Sequence, residues 1–91
     1  MHRPDANPEY LLTFSSFYKA MYARDILMEQ GIPGQVRKVP TYLMSSCGQG
    51  LYIGGCDLQT VLAILSENRI VTKGVYQLVP GKNDREYLKI G

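Results

Sequence analysis

Two helix-like segments, each lying between strand-like segments, constrain the fold of this chain most strongly. The second carries the clearer signal, because four apolar residues recur at the i, i+3, i+4 and i+7 spacing of an amphipathic helix: Leu58, Val61, Leu62 and Leu65. The first shows a stripe of similar period made of Phe17, Ala20, Ala23 and Leu27. The pair Ser15-Ser16 offers an N-cap, and Asp57 suits an N-cap or the first turn. Gly31 and Asn68 suit the left-handed residue that ends a helix.

Four runs rich in strand-forming residues surround these helices, at 10–14, 35–39, 51–53 and 71–79. The order is strand, helix, strand, strand, helix, strand. Two right-handed crossovers and one hairpin then predict an α+β fold, the ferredoxin-like βαββαβ sandwich, with a four-stranded antiparallel sheet and both helices on one face. Residues 10–80 form the single predicted domain, between a mobile N-terminal tail at 1–9 and a C-terminal tail at 81–91 that either docks or stays loose.

The predicted strands are apolar on both faces, which is typical of strands that are covered on both faces. With both helices on one side, the other face needs a cover of its own. Three covers fit this pattern: a partner protein, a second copy of the chain forming a homodimer through the open sheet face, or the C-terminal tail.

Composition excludes several classes of protein. The chain has 91 residues and a net charge of +2, which is too weak for a large phosphate-binding surface and argues against nucleic-acid binding. No apolar run could span a membrane, and the N-terminus lacks the apolar stretch of a signal peptide, so a cytoplasmic protein with reduced cysteines is expected. Two cysteines and one histidine do not make a convincing structural zinc site, and neither a metal nor a cofactor is expected.

The candidate site is the segment Ser45-Ser46-Cys47-Gly48, in the predicted loop between the second and third strands. A reactive thiol needs access and donors that favour the thiolate. Ser45 and Ser46 can donate hydrogen bonds, and Gly48 leaves backbone amides open to approach. The alternative is a half-buried loop cysteine without a role. Cys56 is interpreted as an incidental or buried residue, because free cysteines are usually buried.

The predicted topology brings this loop to the end of the sheet at which the first helix begins. A helix N-terminus presents unpaired amides and a partial positive charge, so Ser15 and Ser16 could help to stabilise an anion there, although both are foremost candidate caps. Cys56 is expected at the opposite end, since a six-residue strand spans roughly 20 Å. A disulfide needs Cα atoms within about 7 Å, so Cys47 and Cys56 are not expected to pair within one chain.

Several of these segments together resemble the selenium/sulfur carrier protein-like family. They are the opening run 10–16, the stop Gly31-Ile32-Pro33, the Ser45-Ser46-Cys47-Gly48 motif with Leu51 after it, and Gly74-Val75-Tyr76. The resemblance covers about residues 10–79, and the Ser-Ser-Cys-Gly motif is its specific part. It implies that Cys47 is the thiol that carries sulfur or selenium, and it implies no role for Cys56.

The first hypothesis is therefore a carrier rather than an ordinary enzyme. Its Cys47 accepts a persulfide or selenide from a donor enzyme, such as a cysteine desulfurase-like protein, and hands it on. The alternative is a regulatory module that binds a small ligand or protein and uses no thiol chemistry. A third hypothesis, single-stranded RNA binding on the sheet, would use Tyr10 and Tyr52 for base stacking.

Overall fold

The computed structural model describes residues 9–43, 48–55, 57–80 and 85–91. These residues form five strands and two α-helices, and a short 3-10 helix, Thr41–Leu43, follows the second strand. In chain order these elements are β1 (Glu9–Thr13), α1 (Phe17–Glu29), β2 (Gly34–Lys38), β3 (Gln49–Gly54), α2 (Leu58–Glu67), β4 (Gly74–Pro80) and β5 (Arg85–Lys89). The protein therefore has the predicted α+β composition, with β4 starting at Gly74 instead of Val71.

The sheet has five strands, and the predicted number of four was wrong. The strands lie in the order β2-β3-β1-β4-β5, and every neighbouring pair is antiparallel. The added strand is β5, in the segment predicted as a C-terminal tail. It pairs with β4 from Tyr76 opposite Lys89 to Pro80 opposite Arg85. Of the two outcomes left open for the tail, docking is the one observed for the residues described.

Both helices begin at the predicted caps. The Ser16 side chain accepts a hydrogen bond from the Lys19 backbone N–H, and the Asp57 carboxylate accepts one from that of Gln59. Such caps satisfy amides that have no partner inside the helix. Asp57 also accepts a hydrogen bond from the Thr60 hydroxyl, 2.9 Å away.

Both helices end in a Schellman motif, in which a left-handed residue lets two amides turn back to earlier carbonyls. In α1 that residue is Gly31, with φ of 81°, as predicted. In α2 the prediction of Asn68 was wrong. Asn68 has φ of −99° and is the C-cap, whereas Arg69, with φ of 60°, takes the left-handed conformation.

The main core lies between the helices and one face of the sheet. It consists of buried residues of α1 and α2 and of strand residues whose side chains point to the helix side of the sheet. They are Leu12, Ala20, Ala23, Leu27, Leu51, Ile53, Val61, Leu65 and Val75. The predicted helical stripes are confirmed as core-facing at five positions: Ala20, Ala23, Leu27, Val61 and Leu65. Phe17 is an exception, because its side chain is 49% exposed. It is the first residue of α1, where no preceding turn covers it.

The opposite sheet face is covered in part by the chain itself. Leu11, Tyr52 and Leu78 are buried there, and Leu43 of the 3-10 helix packs against them. The residues that follow β2 thus supply a cover that was not among the three expected. Tyr87 of β5 also packs on this cluster. A homodimer through this face is tested by none of these contacts and stays a prediction.

Candidate functional site

The predicted thiol lies outside the described residues. The gap at residues 44–47 includes Ser45, Ser46 and Cys47, and Cys56 falls in a second gap. Of the remaining predicted site residues, the structure describes Gly48, Ser15 and Ser16. The geometry of the site is therefore built from the residues on either side of the motif.

The two ends of the β2–β3 loop are held together by backbone hydrogen bonds. The Val39 N–H donates to the Gly48 carbonyl at 3.0 Å, which closes the loop at its base. Within the loop, the Leu43 N–H donates to the Pro40 carbonyl at 3.0 Å and forms the 3-10 turn. Gly48 is exposed and has φ of 72°, a left-handed conformation that glycine adopts without steric cost. The motif therefore begins two residues after Leu43, the last residue of the 3-10 turn, and ends on a glycine in the left-handed conformation.

Strand register places the base of this loop at the sheet end where α1 begins. Thr13, the last residue of β1, lies opposite Gly50 of β3 on one side and Gly74 of β4 on the other. Gly48 lies two residues before Gly50, and α1 starts at Phe17, four residues after Thr13. The prediction that the loop and the α1 N-terminus share one end of the sheet thus agrees with the loop residues that are described.

Ser16 and Ser15 differ in what they contribute at this end. Ser16 is half-buried, and its hydroxyl oxygen caps α1 at 3.2 Å from the Lys19 nitrogen. Ser15 is exposed. The first turn of α1 contains no acidic side chain, so no carboxylate within that turn opposes its partial positive charge. An anion-stabilising role for either serine stays a prediction.

A group of tyrosines surrounds the start of the loop, and sequence reasoning missed it. The group, here called the tyrosine cluster, consists of Tyr42, Tyr52 and Tyr87. The rings of Tyr42 and Tyr87 meet edge to face, with centroids 6.2 Å apart and planes at 78°. The Tyr52 hydroxyl donates to the Lys38 carbonyl at 2.8 Å, and Tyr87 packs against the buried cluster that contains Tyr52. No local sequence pattern indicates this cluster, because Tyr42 lies in a 3-10 helix and Tyr87 lies in the strand that was not predicted.

The environment of Tyr52 favours its neutral form. Burial of the ring raises the pKa of Tyr52 above its usual range, and the hydrogen bond and charge interaction with Tyr87 act in the same direction. The Arg37 guanidinium lies 4.5 Å from the centre of the Tyr52 ring and acts in the opposite direction. Tyr52 therefore serves as a neutral hydrogen-bonding group between β2, β3 and β5.

Tyr10 and Tyr52 do not form a common stacking platform for bases. Tyr10 lies opposite Ile53, and Tyr52 lies opposite Leu11, so the two tyrosines project from opposite faces of the sheet. Tyr10 packs against the helix-side core, and Tyr52 is 7% exposed. The pair that the RNA hypothesis relied on is thus separated by the sheet.

An open groove of about 350 Å³ lies beside the C-terminal end of α2. Its lining is mostly apolar: Leu62, Leu65, Ser66, Arg69, Ile70, Val71 and Thr72. Among the residues that the structure describes, no three His, Cys, Asp or Glu side chains are arranged to hold a metal ion. The same residues contain no helix long and apolar enough to cross a membrane.

Comparison with models of known protein families gives a match. No curated protein and no solved structure matches the chain. A family model described as "Putative Se/S carrier protein-like" matches residues 9–77, which include the Ser45-Ser46-Cys47-Gly48 motif, both helices and strands β1 to β3. Since the match covers more than half of the 91 residues, the chain belongs to this Se/S carrier protein-like family.

Proposed function

We propose that this protein carries sulfur or selenium on Cys47. The observation that supports this most is the family match over residues 9–77 together with the single thiol in the β2–β3 loop. The loop leaves and re-enters the sheet through a hydrogen-bonded base at Val39 and Gly48. A carrier needs this combination, because a fixed base with a small-residue tip lets the reactive centre of a second protein approach the thiol.

In the proposed reaction, the Cys47 thiolate attacks the terminal sulfur of a persulfide on the donor protein. One sulfur–sulfur bond forms as another breaks, and the donor cysteine leaves as its thiolate. Cys47 then carries the persulfide, and no external oxidant or reductant is consumed. Selenium transfer follows the same balance with selenium in the terminal position. Ser45, Ser46 and Gly48 support the loop, and the amides at the start of α1, near Ser15 and Ser16, stabilise the charged product.

We infer that the sheet serves as the support for this loop. The order β2-β3-β1-β4 with α1 and α2 in the two crossovers is compatible with a ferredoxin-like unit that β5 extends. Such a unit supplies a rigid base and leaves the chemistry to a loop. The proposed partner is a sulfur or selenium donor enzyme, such as a cysteine desulfurase-like protein.

The test is the intact mass of the protein after incubation with a cysteine desulfurase and cysteine, or with a selenocysteine lyase and selenocysteine. We expect the mass to increase by one sulfur or one selenium atom, and the gain to disappear on treatment with a thiol reductant. The matched variants are Cys47→Ser and Cys56→Ser. The gain should be lost in the first and retained in the second.

The outcomes separate the carrier from the alternative. Sulfur or selenium on Cys56 alone, or on neither cysteine, would contradict the proposal. An unchanged mass combined with ligand-induced thermal stabilisation would favour a binding module instead. The groove at the end of α2 is the observation that favours that second function, because it offers an apolar lining with one cationic side chain, Arg69.

A further inference from the structure

The β2–β3 loop touches a part of the chain that lies beyond the family match. The match ends at residue 77, whereas Tyr87 lies on β5. Its ring meets that of Tyr42, the residue two positions before the undescribed part of the loop. The contact joins a strand at one edge of the sheet to the segment that leads into the Ser45-Ser46-Cys47-Gly48 motif.

Tyr87 is itself held from two directions. Leu78 of β4 lies directly opposite Tyr87 in the sheet, and the Tyr87 side chain packs against the buried cluster that contains Tyr52 of β3. Tyr52 in turn bonds to the Lys38 carbonyl at the end of β2, 2.8 Å away. A ring held by strand pairing and by packing against this cluster loses little further freedom when it packs against Tyr42.

Tyr42 has few other means of attachment. Its side chain is 66% exposed, although the next residue, Leu43, packs on the sheet face. An edge-to-face aromatic pair contributes beyond the area it buries, and it favours one orientation of the two rings. The 3-10 turn is therefore held by two contacts. The Tyr87 ring packs against Tyr42, and Leu43 packs against the sheet face.

We propose that Tyr87 is a positioning residue for the β2–β3 loop, which it holds through Tyr42 and Tyr52. The consequence of this role for Cys47 rests on the proposed carrier function. The contact between the Tyr42 and Tyr87 rings does not depend on that function. The C-terminal strand β5 thus helps to hold the 3-10 turn that leads into the motif.

The primary experiment measures amide hydrogen exchange by nuclear magnetic resonance in the full chain. The reporters are the Val39 and Leu43 amides, whose hydrogen bonds close the loop base and the 3-10 turn. In Tyr87→Leu we expect both to exchange about two- to tenfold faster, the range that aromatic pair energies correspond to. Tyr87→Phe keeps the ring and should restore most of the protection.

Controls separate positioning from general destabilisation. The Leu12 amide, in central strand β1, should keep its exchange rate in Tyr87→Leu, whereas a merely structural role would accelerate all three amides by a common factor. Tyr42→Leu removes the other ring of the pair and should reproduce the effect even if Tyr87→Leu fails to fold. Leu88→Ala is the matched β5 control, because Leu88 is 49% exposed and lies opposite Gln77.

Sulfur loading of Cys47 supplies the functional arm. Its initial rate should fall about two- to tenfold in Tyr87→Leu and stay near that of the unmodified protein in Tyr87→Phe. If the unmodified protein takes no sulfur, the carrier function fails and the exchange data still decide the positioning role. Equal exchange at Val39 and Leu43 in Tyr87→Leu, Tyr42→Leu and Leu88→Ala would overturn the inference.

Discussion

Replacing Arg69 with glycine should stabilise the protein. Arg69 is the left-handed residue of the Schellman motif that ends α2, with φ of 60°. Its N–H donates to the Ser66 carbonyl at 3.0 Å, and that of Ile70 donates to the Leu65 carbonyl at 2.9 Å. The same pair of bonds ends α1, where Gly31 occupies the equivalent position. One helix of this protein therefore uses the favoured residue at this position, and the other does not.

The magnitude follows from two opposing effects. A left-handed conformation costs an ordinary L-residue roughly 1–2 kcal/mol, and glycine removes that cost. Glycine also gives the unfolded chain more freedom, which lowers the stability of the folded state by about 0.4–1 kcal/mol. The net expectation for Arg69→Gly is a gain of about 0.5–1 kcal/mol in the free energy of unfolding. For a domain of this size, that gain raises Tm by about 2–8 °C.

Urea and thermal melts measure this change in the free energy of unfolding, and two variants serve as controls. Arg69→Ala keeps the Cβ atom and the strain but removes the guanidinium, so it should gain nothing. Asn68→Gly places glycine at a residue with ordinary φ of −99° and should be destabilising. Stabilisation by Arg69→Ala as large as that by Arg69→Gly would refute the backbone argument and assign the effect to the Arg69 charge.

Three further predictions concern the core, the cap and the cysteines. Leu65→Ala should cost about 2–5 kcal/mol in urea melts because Leu65 is 1% exposed. Leu62→Ala should cost less because that side chain is only partly buried, and the reverse order would mean that α2 packs through another face. Ser16→Ala should cost about 1 kcal/mol through loss of the α1 cap, and an unchanged melt would remove that role. Limiting iodoacetamide should label Cys47 before Cys56, as read by peptide mass spectrometry. Mild oxidation should form no Cys47–Cys56 disulfide within one chain. Faster labelling of Cys56, or formation of that disulfide, would contradict the predicted placement of the two thiols.

Local patterns were sufficient to predict the helices, their N-caps and the first three strands. Each depends on residues close in sequence, such as Ser16 before α1 or the apolar spacing that includes Val61 and Leu65. The fifth strand was not predicted because the segment 81–91 is strongly charged and contains only a short apolar stretch. Its pairing with β4 satisfies backbone groups through tertiary contact, which a propensity argument does not include.

The end of α2 illustrates a conflict between propensity and packing. Asparagine tolerates the left-handed conformation better than arginine does, so propensity favours Asn68 for that position. In a Schellman motif, however, an apolar residue after the left-handed one packs against an apolar residue of the last helical turn. With Arg69 left-handed, that pair is Ile70 and Leu65, both buried. With Asn68 left-handed, Arg69 would have to take the apolar position, so core packing outweighs the local preference.

The end of the sheet that faces the candidate loop is constrained by close backbone approach. A Cβ atom at Gly50 would lie 2.9 Å from the Leu12 carbonyl oxygen and 2.7 Å from a Leu11 methyl carbon, so β3 can approach β1 this closely only with glycine there. Gly50 lies two residues after Gly48, at which the loop re-enters the sheet, and a Val39 methyl carbon is 3.0 Å from the same Cβ position. The residues at both ends of the loop therefore lie close to Gly50, where β3 packs tightly against β1. This packing gives the described ends of the loop defined positions, which the carrier role proposed for Cys47 would require.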